Sequence, residues 1–207
     1  MKSVMLWLLA GLFSCVALSA QEINIQSTVE RYKDMNTLTA TVVRTKHNVA
    51  ITDDVVTKGK FYFKRPSKVC LTFDEGKDKL LMDGSTFTMV TDGKKSTTQA
   101  QGNSQFESFQ SIFKGLISGE DSDVNINDLA EVDITKEGNT CTLSVTPIVS
   151  DAKEKRKQLF SSFVLVIDLQ SSELKNLRMN ERGENYTQYD FSDYVFDGEV
   201  SDSVFNP

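Results

Sequence analysis

The chain has 207 residues, 23 lysines and arginines against 29 aspartates and glutamates, a net charge of −6, and a single histidine. That length is one ordinary domain, and the acidic balance excludes the basic footprint of a nucleic-acid binder or of a protein held on an anionic membrane surface. His47 sits among threonines and lysines with no second base, and no cysteine lies in a nucleophile motif, so the composition favours binding over catalysis.

Residues 1–20 read as an export leader. Lys2 supplies its positive start, residues 4–13 its apolar stretch, and Leu18-Ser19-Ala20 a small-residue site, with cleavage expected after Ala20. Leu12-Phe13-Ser14-Cys15 is a weaker, lipoprotein-type alternative, which would leave apolar residues 16–18 behind the modified cysteine. Losing Lys2 takes the mature net charge to −7. No second run is long and apolar enough to span a bilayer, so residues 21–207 are expected to form one exported, soluble, monomeric domain.

Residues 23–35 have the spacing of an amphipathic helix, with Ile23, Val29, Tyr32 and Lys33 placed for one face and Ser27-Thr28-x-Glu30 as a start signal. From Leu38 the period becomes two. Leu38, Ala40 and Val42, then Val49 and Ile51, predict a long strand with a break, turning at Thr52-Asp53-Asp54 into a strand over residues 55–64. Strands follow over 68–73, 79–82 and 85–91, with turns at Asp83-Gly84 and Asp92-Gly93. These five strands describe an antiparallel meander.

The alternation stops between residues 97 and 122. Phe106, Phe109, Ile112, Phe113, Leu116 and Ile117 recur at spacings of three and four, which predicts a short amphipathic helix ended by Gly119. An acidic, asparagine-rich loop then leads into strands over 131–135, 140–146, 159–169, 174–180 and 186–196. Its Glu120, Asp121, Asp123, Asn125 and Asn127 imitate a calcium loop, but Ile126 replaces the needed glycine and Val132 the bidentate glutamate, so no metal is expected. Asn185-Tyr186-Thr187 is a weak glycosylation match. The tail over 197–207 is expected to tie back onto the sheet edge.

The chain's organising stretch is Gly59-Lys60-Phe61-Tyr62-Phe63-Lys64-Arg65-Pro66. Gly59, Phe61, Phe63 and Arg65 share one face and the lysines the other. About ten antiparallel strands cannot stay flat, because accumulated twist curls so large a sheet. The expected fold is therefore mainly β with some α, a strongly curved half-barrel sheet covered by short lid helices. Its inward bulk would come from Phe61, Phe63, Leu71, Phe73, Leu81, Phe87, Met89, Phe163, Leu165, Ile167, Tyr189 and Phe191. That set either fills a core or, in part, lines an apolar cavity, for which Phe61, Phe63, Leu71, Phe73, Leu81, Phe87, Met89, Phe163 and Leu165 are the candidates. Phe109, Ile112, Phe113 and Leu116 are the candidate lid residues. Cys70 is out of phase with Val69 and Leu71 whereas Cys141 is in phase with Leu143, which favours two separate buried thiols over a disulfide.

The Gly-x-Phe-x-Phe-Lys-Arg-Pro strand, then Leu80-Leu81-Met82-Asp83-Gly84, the aromatic alternation over 187–196 and Val204-Phe205 resemble the periplasmic outer-membrane lipoprotein carrier family of LolA type. Order and spacing agree along nearly the whole mature chain. The resemblance implies a periplasmic carrier, not an enzyme, with no cofactor. It would receive acylated lipoprotein, or other lipid cargo, from an inner-membrane release complex and pass it to an outer-membrane acceptor. Arg65 would gate the lid by hydrogen-bonding its backbone. Two departures stand out: Leu71, Phe87 and Met89 occupy strands where the family carries Trp or Tyr, and its Phe-x-Gln appears here as Val42-Val43-Arg44. A lipid or glycolipid sensor or scaffold on the same fold is the alternative, and a lipid hydrolase a remote third.

Overall fold

The computed structural model describes residues 32, 35–100, 104–118, 126–149 and 151–207. The leader, the helix expected over 23–35 apart from Tyr32 and Met35, and the acidic loop at 120–125 lie outside them. Eleven antiparallel strands form one curved, open sheet. They are β1 (Thr37–His47), β2 (Val55–Lys64), β3 (Lys68–Phe73), β4 (Asp78–Asp83), β5 (Thr86–Thr91), β6 (Lys94–Gln99), β7 (Ala130–Glu137), β8 (Thr140–Pro147), β9 (Ser162–Asp168), β10 (Glu173–Asn180) and β11 (Tyr186–Phe196).

Their order is β6-β5-β4-β3-β2-β1-β11-β10-β9-β8-β7. Two meanders thus meet where β1 pairs with β11, and the sheet's free edges are β6 and β7. Helices α1 (Ser104–Ser118) and α2 (Ile126–Leu129) lie on the connection between those edges, and α3 (Ala152–Lys157) lies between β8 and β9. Among the described residues no helix is long and apolar enough to cross a membrane.

Alternation decides which face is buried. Along β1, Leu38, Ala40, Val42 and Arg44 are buried and their neighbours are not. Directly paired residues share a face, so the register carries that inner face outward strand by strand. Ala40 opposes Phe61, Phe61 opposes Leu71, Leu71 opposes Leu80, and Leu80 opposes Met89. On the other side Val42 opposes Phe191, Leu177 opposes Leu165, and Leu165 opposes Leu143. Leu38, Val42, Phe61, Phe63, Phe163, Leu165 and Ile167 are all sealed from water in one continuous core.

Several expectations are corrected here. β1 runs unbroken to His47, and Val49 and Ile51 are exposed in the turn beyond it. A sixth strand, β6, follows Gly93; it is too polar to show apolar alternation, and it forms because Asp92 and Gly93 both adopt positive φ (49° and 74°), the geometry that closes a two-residue hairpin. The charged connection at 152–157 is helical, as is 126–129. The tail does not join an edge. Its single-turn helix Asp202–Phe205 lies across the outer face of β3: Lys64 and Lys68 reach Asp202, Lys68 sits over the Phe205 ring, and Lys79 Nζ donates to the Asn206 carbonyl.

Candidate ligand-binding site

Between the inner face and α1 lies a cavity of about 390 Å³. Its apolar wall comes from Phe73, Leu80, Phe87 and Met89 on the sheet and from Phe106, Phe109, Leu159 and Phe160 on the cover. Polar residues, among them Lys46, His47, Asn48, Glu181 and Asn185, ring its mouth at the far ends of β1, β10 and β11. A void of about 20 Å³, lined by Val69, Leu71, Leu80, Met82, Phe87, Phe109, Leu177 and Phe191, lies deeper under the helix.

Of the nine candidate cavity residues, Phe73, Phe87 and Met89 line the cavity and Leu71 borders the deeper void. Phe61, Phe63, Phe163 and Leu165 do not: they are core, with Phe61 edge-on to Phe191 at 5.6 Å and Phe163 edge-on to Phe109 at 5.4 Å. Leu81 is a correction of parity. It opposes Cys70 and Thr88 and points to the outer face, whereas Leu80 and Met82 point in. A signal for this was available. The hairpin turn after Asp83 makes Asp83 oppose Thr86, so Met82 must oppose inward Phe87.

The cover is held by side chains that sequence reasoning passed over. Gln105 is almost fully buried, and its Oε1 accepts the backbone N–H groups of Leu159 (2.9 Å) and Phe160 (3.3 Å). Gln110 Nε2 donates to the Gly84 carbonyl, tying α1 to the β4–β5 turn. Phe160 is wedged edge-on against Phe106, Phe109 and Phe163, at 6.0, 6.4 and 6.0 Å. Of the candidate lid residues, Phe109 and Ile112 are buried against the core; the side chains of Phe113 and Leu116 lie outside the described residues.

Arg65 is at the opposite end of the sheet. Thr57, at the cavity end of β2, is eight residues before it, about 25 Å along an extended strand. Its Nε donates to the Met35 carbonyl at 2.5 Å and its Nη2 to the Tyr32 carbonyl at 3.0 Å. The guanidinium therefore fastens the segment leading into β1. Tyr32 in turn accepts the Leu174 N–H on its hydroxyl at 3.2 Å and packs on Phe196 at 5.9 Å.

The largest departure from apolar character inside the cavity is Arg44. It opposes Thr57 and Tyr189 and lies 4.1 Å above the Phe73 ring. Nε donates to Thr57 Oγ1 at 2.9 Å, and Nη2 to Asp78 Oδ2 at 3.0 Å, with Asp74 at 3.7 Å. Burial pushes the neighbouring Tyr189 phenol up to about 12, against the pull of the Arg44 charge, so Tyr189 is neutral. His47 pairs with Asp54 at 2.7 Å outside this group and stacks on Tyr186. Cys70 and Cys141 are separate buried thiols. Among the described residues no cluster of three or more His, Cys, Asp or Glu could hold a metal ion.

Residues 33–207 match the model of the family described as Outer membrane lipoprotein carrier protein LolA. No curated protein matches the chain. Similar solved structures include a DUF1329 family protein from Desulfovibrio piger (14% identity, covering 88% of this chain and 94% of that one, TM-score 0.45). A LolA superfamily protein from Nitrosomonas europaea is 10% identical, covering 88% and 96%, with a TM-score of 0.42. An uncharacterized conserved protein from Thermus thermophilus is 8% identical, covering 88% and 91%, with a TM-score of 0.47.

Proposed function

The chain belongs to the LolA family of outer membrane lipoprotein carrier proteins, and on that premise we propose that it is a periplasmic carrier that shields acyl chains of lipoproteins beneath α1 and releases them to an outer-membrane acceptor. The physical need is plain. An acyl chain costs about 0.8 kcal/mol per exposed CH₂, so two or three chains carried bare through water would cost roughly 20 to 40 kcal/mol. A carrier must hide them, and must do so reversibly.

The observation that carries this reading is the 390 Å³ hollow with aromatic walls under a helix whose polar ties among the described residues include those of Gln105 and Gln110. It falls near the low end of the roughly 300 to 1,000 Å³ typical of small-molecule sites. At that size it suits one chain; further chains require α1 to lift. The wall supports such a motion, because rings stacked edge to face separate without leaving a polar group unpaired, and the Gln105 and Gln110 bonds exchange for water.

The same size also favours the second reading, a sensor that binds one free lipid and transports nothing. Mass spectrometry of what co-purifies with the mature chain from the periplasm separates the two. Triacylated peptide supports the carrier, a free lipid supports the sensor, and an empty protein overturns both. Depletion of the protein adds a cellular test: under the carrier reading, lipoproteins accumulate at the inner membrane.

A further inference from the structure

We infer that Arg44 is a headgroup anchor that makes the cavity select an acyl chain ending in a neutral carbonyl, an ester or amide, over a bare hydrocarbon or a free fatty carboxylate. The inference rests on the proposed function and names the part of the cargo this site recognises.

A guanidinium carries five N–H donors in a rigid fork. In Arg44 the Nε and Nη2 donors are spent on Thr57 and Asp78, and Nη1 donates to none of the described residues. Yet no buried side-chain nitrogen or oxygen among the described residues lacks a partner, so Nη1 opens onto accessible space. Arg44 as a whole is only 8% exposed and lines the cavity, so the space at its unpaired edge is the hollow itself. The side chain cannot swing away to water. Phe73 lies against its flat face, Thr57 and Asp78 hold two of its nitrogens, and Tyr189 flanks it on β11. A fixed donor pair is therefore presented at one end of an aromatic-walled trough, which is the arrangement that orients a chain by its polar end.

Charge decides which polar end fits. The guanidinium already faces Asp78 at 3.0 Å and Asp74 at 3.7 Å. A carboxylate ligand would bring another negative charge beside those two at a guanidinium that is only 8% exposed. A carbonyl oxygen accepts the same N–H groups and adds no charge. Lys46 and Glu181 at the mouth lie where whatever follows the carbonyl would emerge. A bare hydrocarbon would leave Nη1 desolvated and unpaired, which costs affinity.

The test compares three probes of equal chain length, dodecane, methyl dodecanoate and dodecanoate, as displacers of the neutral dye 1-aminoanthracene from the mature chain, checked by native mass spectrometry. The expected result is that the methyl ester binds about tenfold more tightly than the alkane, the worth of one charge-assisted hydrogen bond, and more tightly than the carboxylate. Arg44→Ala would strand Asp78, so the variant used is Arg44→Met combined with Asp78→Asn, which keeps the length of the side chain and removes every donor. It should abolish the ester's advantage, read as the ratio of ester to alkane affinity within the variant. Equal binding of ester and alkane by the natural protein overturns the anchor while leaving the carrier standing, as does tightest binding of the carboxylate. Failure of all three to bind overturns the carrier reading as well.

Discussion

Gly59 shows how one residue positions the site. It faces inward opposite Phe73 and Val42, and a Cβ there would collide with the Thr72 carbonyl oxygen and lie 2.5 Å from Phe73 Cδ1. Gly59→Ala must displace the ring on which Arg44 rests. We expect it to destabilise the fold by about 3 kcal/mol, the scale of overpacking a dense core, measured by urea unfolding, with cavity ligands lost even where the fold survives. Arg65 is a different case, since two of its acceptors are the backbone carbonyls of Tyr32 and Met35, in a segment that has to be kept down. Arg65→Leu removes both bonds and should cost about 1 to 3 kcal/mol, with faster escape of bound cargo in a dilution assay. Arg65→Lys keeps the charge but not the fork and should fall between; cargo release by Arg65→Leu at the natural rate would confine Arg65 to fastening the segment before β1 and count against the gating that the family resemblance implies.

At the scale of elements, the tail and β3 make one unit. Lys68, Cys70 and Thr72 face outward, and Asp202 contacts Lys68 while Asn206 is held by Lys79, which opposes Thr72. The tail therefore crosses over Cys70 and Leu81. Burial, opposed by the Lys79 charge, pushes the Cys70 thiol up to about 11, so at pH 8 it is protonated and unreactive. Truncation after Gly198 should speed alkylation of Cys70 at least tenfold and leave Cys141, on the inner face, as the internal control. Lys64 first, then Lys68, hold the Asp202 carboxyl below the ordinary carboxylate range. Its contribution to docking is complete above that range and disappears as pH falls through the lowered value, so exchange protection of the 203–206 amides should hold at neutral pH and drop as pH falls below the ordinary carboxylate range. This element also marks what alternation could and could not reveal. Strands with clean period two, such as Val55–Lys64 and Tyr186–Phe196, were legible end to end in the sequence. Leu80-Leu81-Met82 has no period, so its inward face required the hairpin register, and β6 has too little apolar content to show one. Arg44 was visible only as a departure from a family pattern; its role needed the partners that pairing across β1, β2 and β11 brings to it.

At the scale of the whole molecule, the sheet has a long-paired middle and, among the described residues, two edges with one neighbour each. β1 and β2 pair over ten positions and β1 and β11 over nine, while β6 and β7 each have a neighbour on one side only. Opening a cavity against the middle would break many ladder bonds; among the described residues, opening it at the cover breaks the Gln105 and Gln110 ties and parts rings that stack edge to face. Local opening follows the region with fewest buried ties, so enlargement should belong to α1 and the 158–160 wedge. Hydrogen exchange with and without a long-chain acyl ester would then show altered protection in α1, in the 158–160 segment and at the β4–β5 turn, with β1, β2 and β11 unchanged. Phe160→Ala, which removes the wedge, should cost roughly 3 to 5 kcal/mol in the empty protein and shift preference toward longer chains, because ligand occupies the space the ring leaves. The two measurements check each other. If exchange changes instead spread through β1 and β11, the cavity grows by bending the sheet, and removing Phe160 should then leave chain-length preference where it was.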